Sequence, residues 1–325
     1  MKALVTGATG FVGSHVVDRL LARGHEITAL VRSAERARPL AERGVRLVIG
    51  DLGDEAALRA ATEGQDVVHH VAALTGAVDE AAFLAANRDG TARLLRAAEA
   101  AGSVSRFVHV SSGAAGGPAA LGTPKVDAGD DRPVTMYGRS KLAAESVVRD
   151  AALPWTILRP PAVYGPRDTA NFLTVFRAAK RFGIAPIFGD GSQELSLIHV
   201  VDLANACVAA GESAGAVGGL YYVNHPEPVT SRELVTAIGR EVGRDLTIVP
   251  LPHALTRFAL RCTGAWAEFR RQPTILRADK VHEFTAPAWT GDPRPFMADT
   301  DWTATYDLAR GLADTAAWYR NAGLL

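Results

Sequence analysis

The sequence predicts an α/β protein with a doubly wound parallel sheet, on three observations. Short β-branched runs alternate with longer Ala-rich runs at helical spacing through about the first 160 residues. A glycine-rich turn joins the first strand to the first helix. The alternation then loosens at a proline-rich stretch, Pro160 to Pro166. Strand–helix alternation places helices on both faces of a parallel sheet, and the loosening marks a smaller, discontinuous C-terminal region.

Lys2–Thr6 reads as the first strand, Gly7–Gly13 as the turn, and Ser14–Arg23 as a helix that turns Val16, Val17, Leu20 and Leu21 inward. Gly24 ends that helix where a positive φ is wanted. Strands follow at Glu26–Val31, Arg46–Ile49, Asp66–His70, Phe107–Ser111 and Thr156–Arg159, with the principal helices at Glu80–Ala101 and Tyr137–Ala152. The prolines after Arg159 exclude a helix there. Leu197–Val201 is expected to be a strand returning to the sheet, Leu203–Gly211 a helix, and Leu220–Val223 another strand. Ser231–Val242 and His253–Phe269 read as helices. Leu308–Asn321 is an amphipathic helix with Leu308, Leu312, Ala316 and Tyr319 on one stripe. One unit is therefore expected over 1–165 plus about 197–224, and a second over about 166–196 plus 225–325.

Composition narrows the function classes. The 325 residues are 48 % apolar and 22 % charged, which argues against disorder. Thirty-five basic residues balance 35 acidic ones, so no basic surplus points to nucleic acid or an anionic membrane. Two cysteines, Cys207 and Cys262, make neither a disulfide framework nor a Cys-rich zinc site. The expectation is a reduced, cytoplasmic, soluble protein. Met1 to Val5 lead straight into the glycine turn with no secretory pattern. No stretch offers the roughly 18 uncharged apolar residues of a membrane helix.

The turn Thr6-Gly7-Ala8-Thr9-Gly10-Phe11-Val12-Gly13 has G-x-x-G-x-x-G spacing between a strand and a helix. Gly7 permits the tight turn, Gly10 admits a pyrophosphate, and Gly13 lets helix and strand pack closely. The amides at the helix start, from Thr9 to Val12, then face the phosphates. This is the dinucleotide signature of a Rossmann-type sheet. The second strand ends in Arg32-Ser33, with Arg36 and Arg38 following, and no acid is there to accept from a free ribose 2′-hydroxyl. Arg32 and Ser33 suit a 2′-phosphate, so NADP(H) is favoured over NAD(H). The alternative for these arginines is a solvated helix start. Asp51 and Leu52 are placed beside the adenine. Val71, Ala72 and Ala73 leave space for the cofactor at the end of the fourth strand. Pro160 and Val163 complete the expected cofactor contacts, although the prolines also serve as a rigid strand exit. His69 and His70 point to opposite faces of a strand, and no metal site is expected.

Tyr137 and Lys141 stand at i and i+4 of one helix. An ammonium beside a phenol stabilises the phenolate, so Lys141 is expected to lower the pKa of Tyr137. Tyr137 would then exchange a proton with a substrate hydroxyl, and Ser112 would hold the same oxygen.

The sequence resembles the extended short-chain dehydrogenases/reductases, the NAD-dependent epimerase/dehydratase superfamily. The likeness covers nearly the whole chain. It runs through TGATGFVG (Thr6 to Gly13), NRDGT (Asn87 to Thr91), HVSS (His109 to Ser112) and YGRSK (Tyr137 to Lys141). It continues in LRPPAVYGPRD (Leu158 to Asp168), GDGSQ (Gly189 to Gln193) and IHVVDLANA (Ile198 to Ala206). The resemblance implies a Rossmann domain with a smaller C-terminal substrate domain. It also implies catalytic Ser112, Tyr137 and Lys141, with Lys141 also bonding the nicotinamide ribose and Tyr137 beside the cofactor. Ser111 is the neighbouring alternative to Ser112. Asn87 is implied to be a structural or proton-relay residue. Members commonly form homodimers through two helices per subunit, here parts of 80–101 and 137–152.

Departures from the family pattern locate the branch. Dehydratases carry an acidic pair after the catalytic Ser/Thr, where this chain has Gly113-Ala114. Nucleotide-sugar enzymes carry Asn where Ala162 stands, and Arg where Leu195 stands. A diphosphate there would meet Glu194, Leu195 and Leu197, which is unfavourable. These losses resemble the 3β-hydroxysteroid dehydrogenase and dihydroflavonol reductase branches. Leu255, Phe258, Leu260, Trp266 and Phe269 of the predicted helix His253–Phe269 would cover the substrate or pack the small domain. The expected activity is NADP(H)-dependent interconversion of a secondary alcohol and a ketone on an apolar, cyclic small molecule. The alternatives are a nucleotide-sugar epimerase that retains NAD(P), and a non-catalytic NADPH-sensing regulator.

Overall fold

A computed structural model describes residues 1–251 and 280–325. The first half alternates as the sequence predicts. β1 (Lys2–Thr6), α1 (Phe11–Ala22), β2 (Glu26–Val31), α2 (Ala34–Ala41), β3 (Arg46–Ile49), α3 (Glu55–Thr62) and β4 (Val67–His70) follow one another. α4 (Glu80–Leu84) then runs through a π-helical turn, Ala85–Asp89, into α5 (Gly90–Ala101). β5 (Arg106–Val110), the single turn α6 (Gly113–Gly116), α7 (Met136–Arg149) and β6 (Trp155–Arg159) come next. Caps set several helix starts: the side chains of Ser33, Asp54, Asp79 and Thr135 accept from backbone amides of α2, α3, α4 and α7.

Beyond Arg159 the elements are shorter. They are β7 (Ala162–Tyr164), α8 (Asn171–Phe182), β8 (Ile184–Phe188), β9 (Glu194–Leu195), β10 (Leu197–His199) and α9 (Val200–Glu212). β11 (Leu220–Tyr222), β12 (Val229–Thr230), α10 (Ser231–Glu241), β13 (Thr247–Leu251) and β14 (Ala288–Trp289) follow, and the helix Leu308–Asn321 ends the chain.

Seven parallel strands form the central sheet in the order β11-β6-β5-β4-β1-β2-β3. This is a Rossmann-type α/β fold. The period of two along β1 sorts its side chains between two helical layers. Ala3 and Val5 pack with Val16, Val17 and Leu20 of α1 and with Leu203 and Cys207 of α9. Leu4 packs with Leu58, Leu94 and Val148 of α3, α5 and α7. Strand order reverses between β1 and β4, and the crevice at their carboxyl ends is where such sheets bind ligands.

Four expectations need correction. α1 begins at Phe11 rather than Ser14, so its first amides belong to the glycine turn itself. The run Glu80–Ala101 is interrupted by the π turn, where Asn87 is tied to neighbouring segments. Leu197–His199 does not rejoin the central sheet: it pairs in parallel with Ala162–Tyr164. His199 caps α9, which begins at Val200 rather than Leu203. The predicted helix His253–Phe269 lies outside the described residues, as does Cys262. No helix among the described residues is long and apolar enough to cross a membrane.

Candidate functional site

A continuous cleft of about 1910 Å³ opens at the carboxyl ends of the strands. Pockets for one small ligand span roughly 300–1,000 Å³, so this one has room for a dinucleotide and a second molecule. Gly7, Thr9, Gly10, Phe11 and Val12 line one end. Gly7 has φ +74°, and a Cβ there would lie 2.9 Å from the Ala72 amide nitrogen. A Cβ on Gly13 would lie 2.1 Å from the Gly7 carbonyl oxygen, so the close approach of turn and helix admits no side chain. With Gly10 as the extended N-cap, the free amides of a 12-residue helix open onto the cleft. This cradle fits a pyrophosphate.

Arg32, Asp51, Leu52, Val71, Ala72 and Ala73 line the next stretch, joined by Arg36. Ser33 does not line the cleft: its hydroxyl accepts from the Arg36 amide and caps α2. Arg38 pairs with Glu42 on the outer face of α2. The Asp51 carboxylate accepts from Gly53 N at 2.7 Å, which fixes its own turn.

Ser112, Tyr137, Pro160 and Val163 meet at the middle of the cleft. The Ser112 hydroxyl lies beside the Tyr137 phenol and favours its ionised form. Ser112 also caps α6, accepting from Ala114 N at 3.2 Å. Its neighbour Ser111 turns inward and donates to Glu145 Oε1 at 2.5 Å. Lys141 does not line the cleft. It is 1 % exposed and donates to the Val110 carbonyl at 2.7 Å, just below Ser111.

Burial dominates the electrostatics here, contrary to the expectation of a depressed phenol. Desolvation pushes the Tyr137 phenol up to about 12, against the neighbouring Ser112 hydroxyl, which lowers it, and with Glu283 raising it further. Burial likewise brings Lys141 down to about 8, partly offset by Glu145. A phenol in this state stays protonated at neutral pH and can donate.

Behind the cleft lies a charged network the sequence reading missed. Arg159, with no exposed surface, forms paired bonds to both Asp131 oxygens at 2.7 Å and to both Glu145 oxygens at 2.6 and 2.9 Å. It also donates to Tyr222 Oη at 3.0 Å. Its sequence signal was Glu145, one turn after Lys141 on the face of α7 that packs inward. Asn87 accepts from Leu74 N and donates to Leu74 O and Ser140 Oγ, a structural tie between the β4 exit and α7. His70 bonds Thr6 Oγ1 and Thr91 Oγ1, and no metal-ligating cluster is found among the described residues.

The far end of the cleft is lined by Ile187, Phe188, Leu195, Phe284 and Trp289. The rings of Phe188 and Phe284 stack at 4.5 Å. Leu195 faces the cleft as expected. The other two residues of that expectation do not: the Glu194 carboxylate accepts from Gly122 N, and Leu197 is core. Glu283 is a cleft residue the sequence reading overlooked.

The NAD-dependent epimerase/dehydratase family matches residues 3–223. A ceramide reductase of Caulobacter vibrioides is 32 % identical over 323 residues, covering 99 % of this chain and 95 % of that protein. A Stigmatella aurantiaca 4-hydroxy-2-methyl-3-oxo-4-farnesyl-3,4-dihydroquinoline-1-oxide ketoreductase is 32 % identical over 268 residues, 80 % of this chain and 78 % of that one. Among solved structures, the UDP-glucose 4-epimerase of Thermus thermophilus in complex with NAD superposes with a TM-score of 0.77. It is 26 % identical and covers 99 % of this chain and 100 % of that one. A glycine cradle at the switch point, matched by this family over most of the sheet, means that the chain belongs to the NAD-dependent epimerase/dehydratase family of extended short-chain dehydrogenases/reductases.

Proposed function

We propose that the protein is an NADP(H)-dependent oxidoreductase that interconverts a secondary alcohol and a ketone on an apolar, cyclic substrate. The observation that carries this reading is the neighbouring Ser112 and Tyr137 side chains lining a cleft whose far end is walled by Leu195 and the stacked Phe188 and Phe284. The ceramide reductase and the quinoline-oxide ketoreductase to which the chain is similar support the same reaction type. Among the described residues, those of 166–196, 231–238 and 283–291 that line the cleft supply its substrate side, and Arg32 with Arg36 receive the ribose 2′-phosphate.

Bound nicotinamide supplies or accepts the hydride. Ser112 holds the substrate oxygen by donating its hydroxyl hydrogen. Tyr137, kept protonated by burial, gives its proton to that oxygen as the carbonyl carbon is reduced, and takes it back in oxidation. Lys141, buried beneath the cleft wall and bonded to the Val110 carbonyl, acts on the pair through its charge.

The test is NADPH consumption with a panel of apolar cyclic ketones. Tyr137→Phe is expected to cut kcat by about 10²–10⁴ while NADPH binding is kept. Turnover surviving within about tenfold overturns the mechanism. Tightly retained NAD(P), with substrate converted and no net change in NADPH, instead identifies an epimerase.

A further inference from the structure

We propose that Arg167 is a further cofactor-binding residue, one that grips the pyrophosphate of the dinucleotide from the substrate side of the cleft. This inference rests on the nucleotide reading above and extends it to a group outside the glycine turn.

The backbone supplies the first observation. Among the described non-glycine residues, Arg167 alone has a positive φ, at +72°. That conformation is costly for a residue with a Cβ and persists where the surroundings enforce it. Both flanks do so here. The Pro166 carbonyl accepts from His15 Nε2 of α1 at 2.9 Å. The Asp168 amide donates to the Gly165 carbonyl, and the Asp168 carboxylate accepts from the amides of Ala170, Asn171 and Phe172 at the start of α8. The loop between β7 and α8 is thereby fixed onto α1, with Arg167 between the two anchors.

The side chain supplies the second. Arg167 lines the cleft together with Gly10, Phe11, Val12, Gly13 and Ser14, the residues of the cradle and the first helical turn. Its Nη1 donates to Ser14 Oγ at 3.1 Å and pairs with Asp18 Oδ2 at 2.8 Å. The guanidinium thus lies along the face of α1 that carries Ser14 and Asp18, one turn apart. Its Nε and Nη2 have no partner among the described residues. Asp18 has a second cation, Arg43, on its other oxygen at 2.7 Å. Arg167 can therefore turn toward a phosphate without leaving that carboxylate unpaired.

Charge explains why the cradle wants such a group. A pyrophosphate diester is doubly negative, and the amino end of a helix offers only about half a positive charge. The other arginines lining the cleft are engaged elsewhere. Arg93 donates to the Leu52 and Ala85 carbonyls, Arg43 pairs with Asp18, and Arg32 and Arg36 stand at the ribose end. A guanidinium binds phosphate oxygens through charge-assisted, forked hydrogen bonds, which two free nitrogens can supply.

Calorimetric titration of the nucleotide-free protein with NADPH and NADH tests this without turnover. Arg167→Gly removes the side chain and suits the positive φ. It should weaken both nucleotides alike, by about tenfold, because both carry the pyrophosphate. Asp18→Asn breaks the same ion pair but leaves the guanidinium in place. It should leave the affinity for both nucleotides unchanged or raise it. Unchanged affinity in Arg167→Gly overturns the proposal. So does affinity lost in Asp18→Asn as well, which would make the ion pair a brace between loop and helix. Should Arg167→Gly fail to fold, Arg167→Gln decides by the same criteria, since it keeps a donor for Ser14 and loses the charge. A wild-type protein that binds neither nucleotide overturns the cofactor reading itself. A wild type that binds them, with Arg167→Gly its equal, removes only the role of Arg167.

Discussion

Arg32 and Ser33 are adjacent in sequence, yet their side chains serve different ends. Arg32 and Arg36 line the cleft, whereas Ser33 spends its oxygen on the Arg36 amide. Arg32→Ala should therefore weaken NADPH binding by roughly tenfold or more, the worth of a charge-assisted hydrogen bond, with little effect on NADH. Parallel titrations with the two nucleotides check this, and equal weakening of both would sink the 2′-phosphate assignment. Ser33→Ala should instead cost about 1 kcal/mol of stability through the lost cap, leaving nucleotide preference alone. Residue types and their spacing were legible here, since Arg32, Ser112 and Tyr137 all reach the cleft. The direction of a hydroxyl was not, because capping and ligand binding want the same residue types. The Tyr137–Lys141 pair shows the same limit. Proximity at i and i+4 follows from helix geometry, but whether charge or desolvation wins depends on burial, which only the fold reveals.

At the scale of elements, strong local rules made the first half readable. β1, β2 and β3 lie where alternation put them, as does the C-terminal helix Leu308–Asn321. Departures occur where tertiary contacts decide. Asn87 pins the chain to Leu74 and Ser140 at a π turn, inside an Ala-rich stretch whose local pattern reads as unbroken helix. β10 is three residues long and pairs with the proline-flanked β7, a partner no periodicity could nominate. The glycine turn is the opposite case, with spacing that dictates geometry. Gly13→Ala places a methyl 2.1 Å from the Gly7 carbonyl oxygen, and that neighbour is backbone. The turn must open to accept it. We expect nucleotide affinity to fall at least tenfold, with thermal stability lowered too, whereas Gly24→Ala should alter stability alone. Gly24 has φ +75° with open space around its would-be Cβ, and it lies away from the cleft. Unchanged nucleotide affinity in Gly13→Ala, measured by calorimetry, would contradict the cradle.

For the whole molecule, the two helical layers enclose several neutral imidazoles whose burial couples folding to pH. His69 and His70 lie back to back on β4, His109 beside His70 on β5, and His199 beneath Tyr306 at the start of α9. Desolvation brings His69, His70 and His199 down to about 3, and His109 also falls well below its usual value. In the unfolded chain each returns to about 6.5. Between those values the unfolded state binds more protons than the folded state, so stability rises with pH through the window. It is complete above about 6.5 and is lost progressively as pH falls toward 3. The carboxylates with lowered values, Glu80, Asp89, Asp190, Glu233 and Asp292, start to matter only near pH 4. The interval from about 6.5 to 4.5 therefore isolates the histidines. Each fully buried imidazole contributes up to about 1.4 kcal/mol per pH unit there. Thermal unfolding at a series of pH values should show Tm level between about pH 7 and 8 and falling steadily below 6.5, with net proton uptake on unfolding in the lower range. Replacing His109, whose ring nitrogens have no hydrogen-bond partner, with Leu should flatten that slope, whereas replacing the exposed His282 with Leu should not. A Tm that stays constant from pH 7 to 5 would mean that these imidazoles take up protons without unfolding the sheet around them.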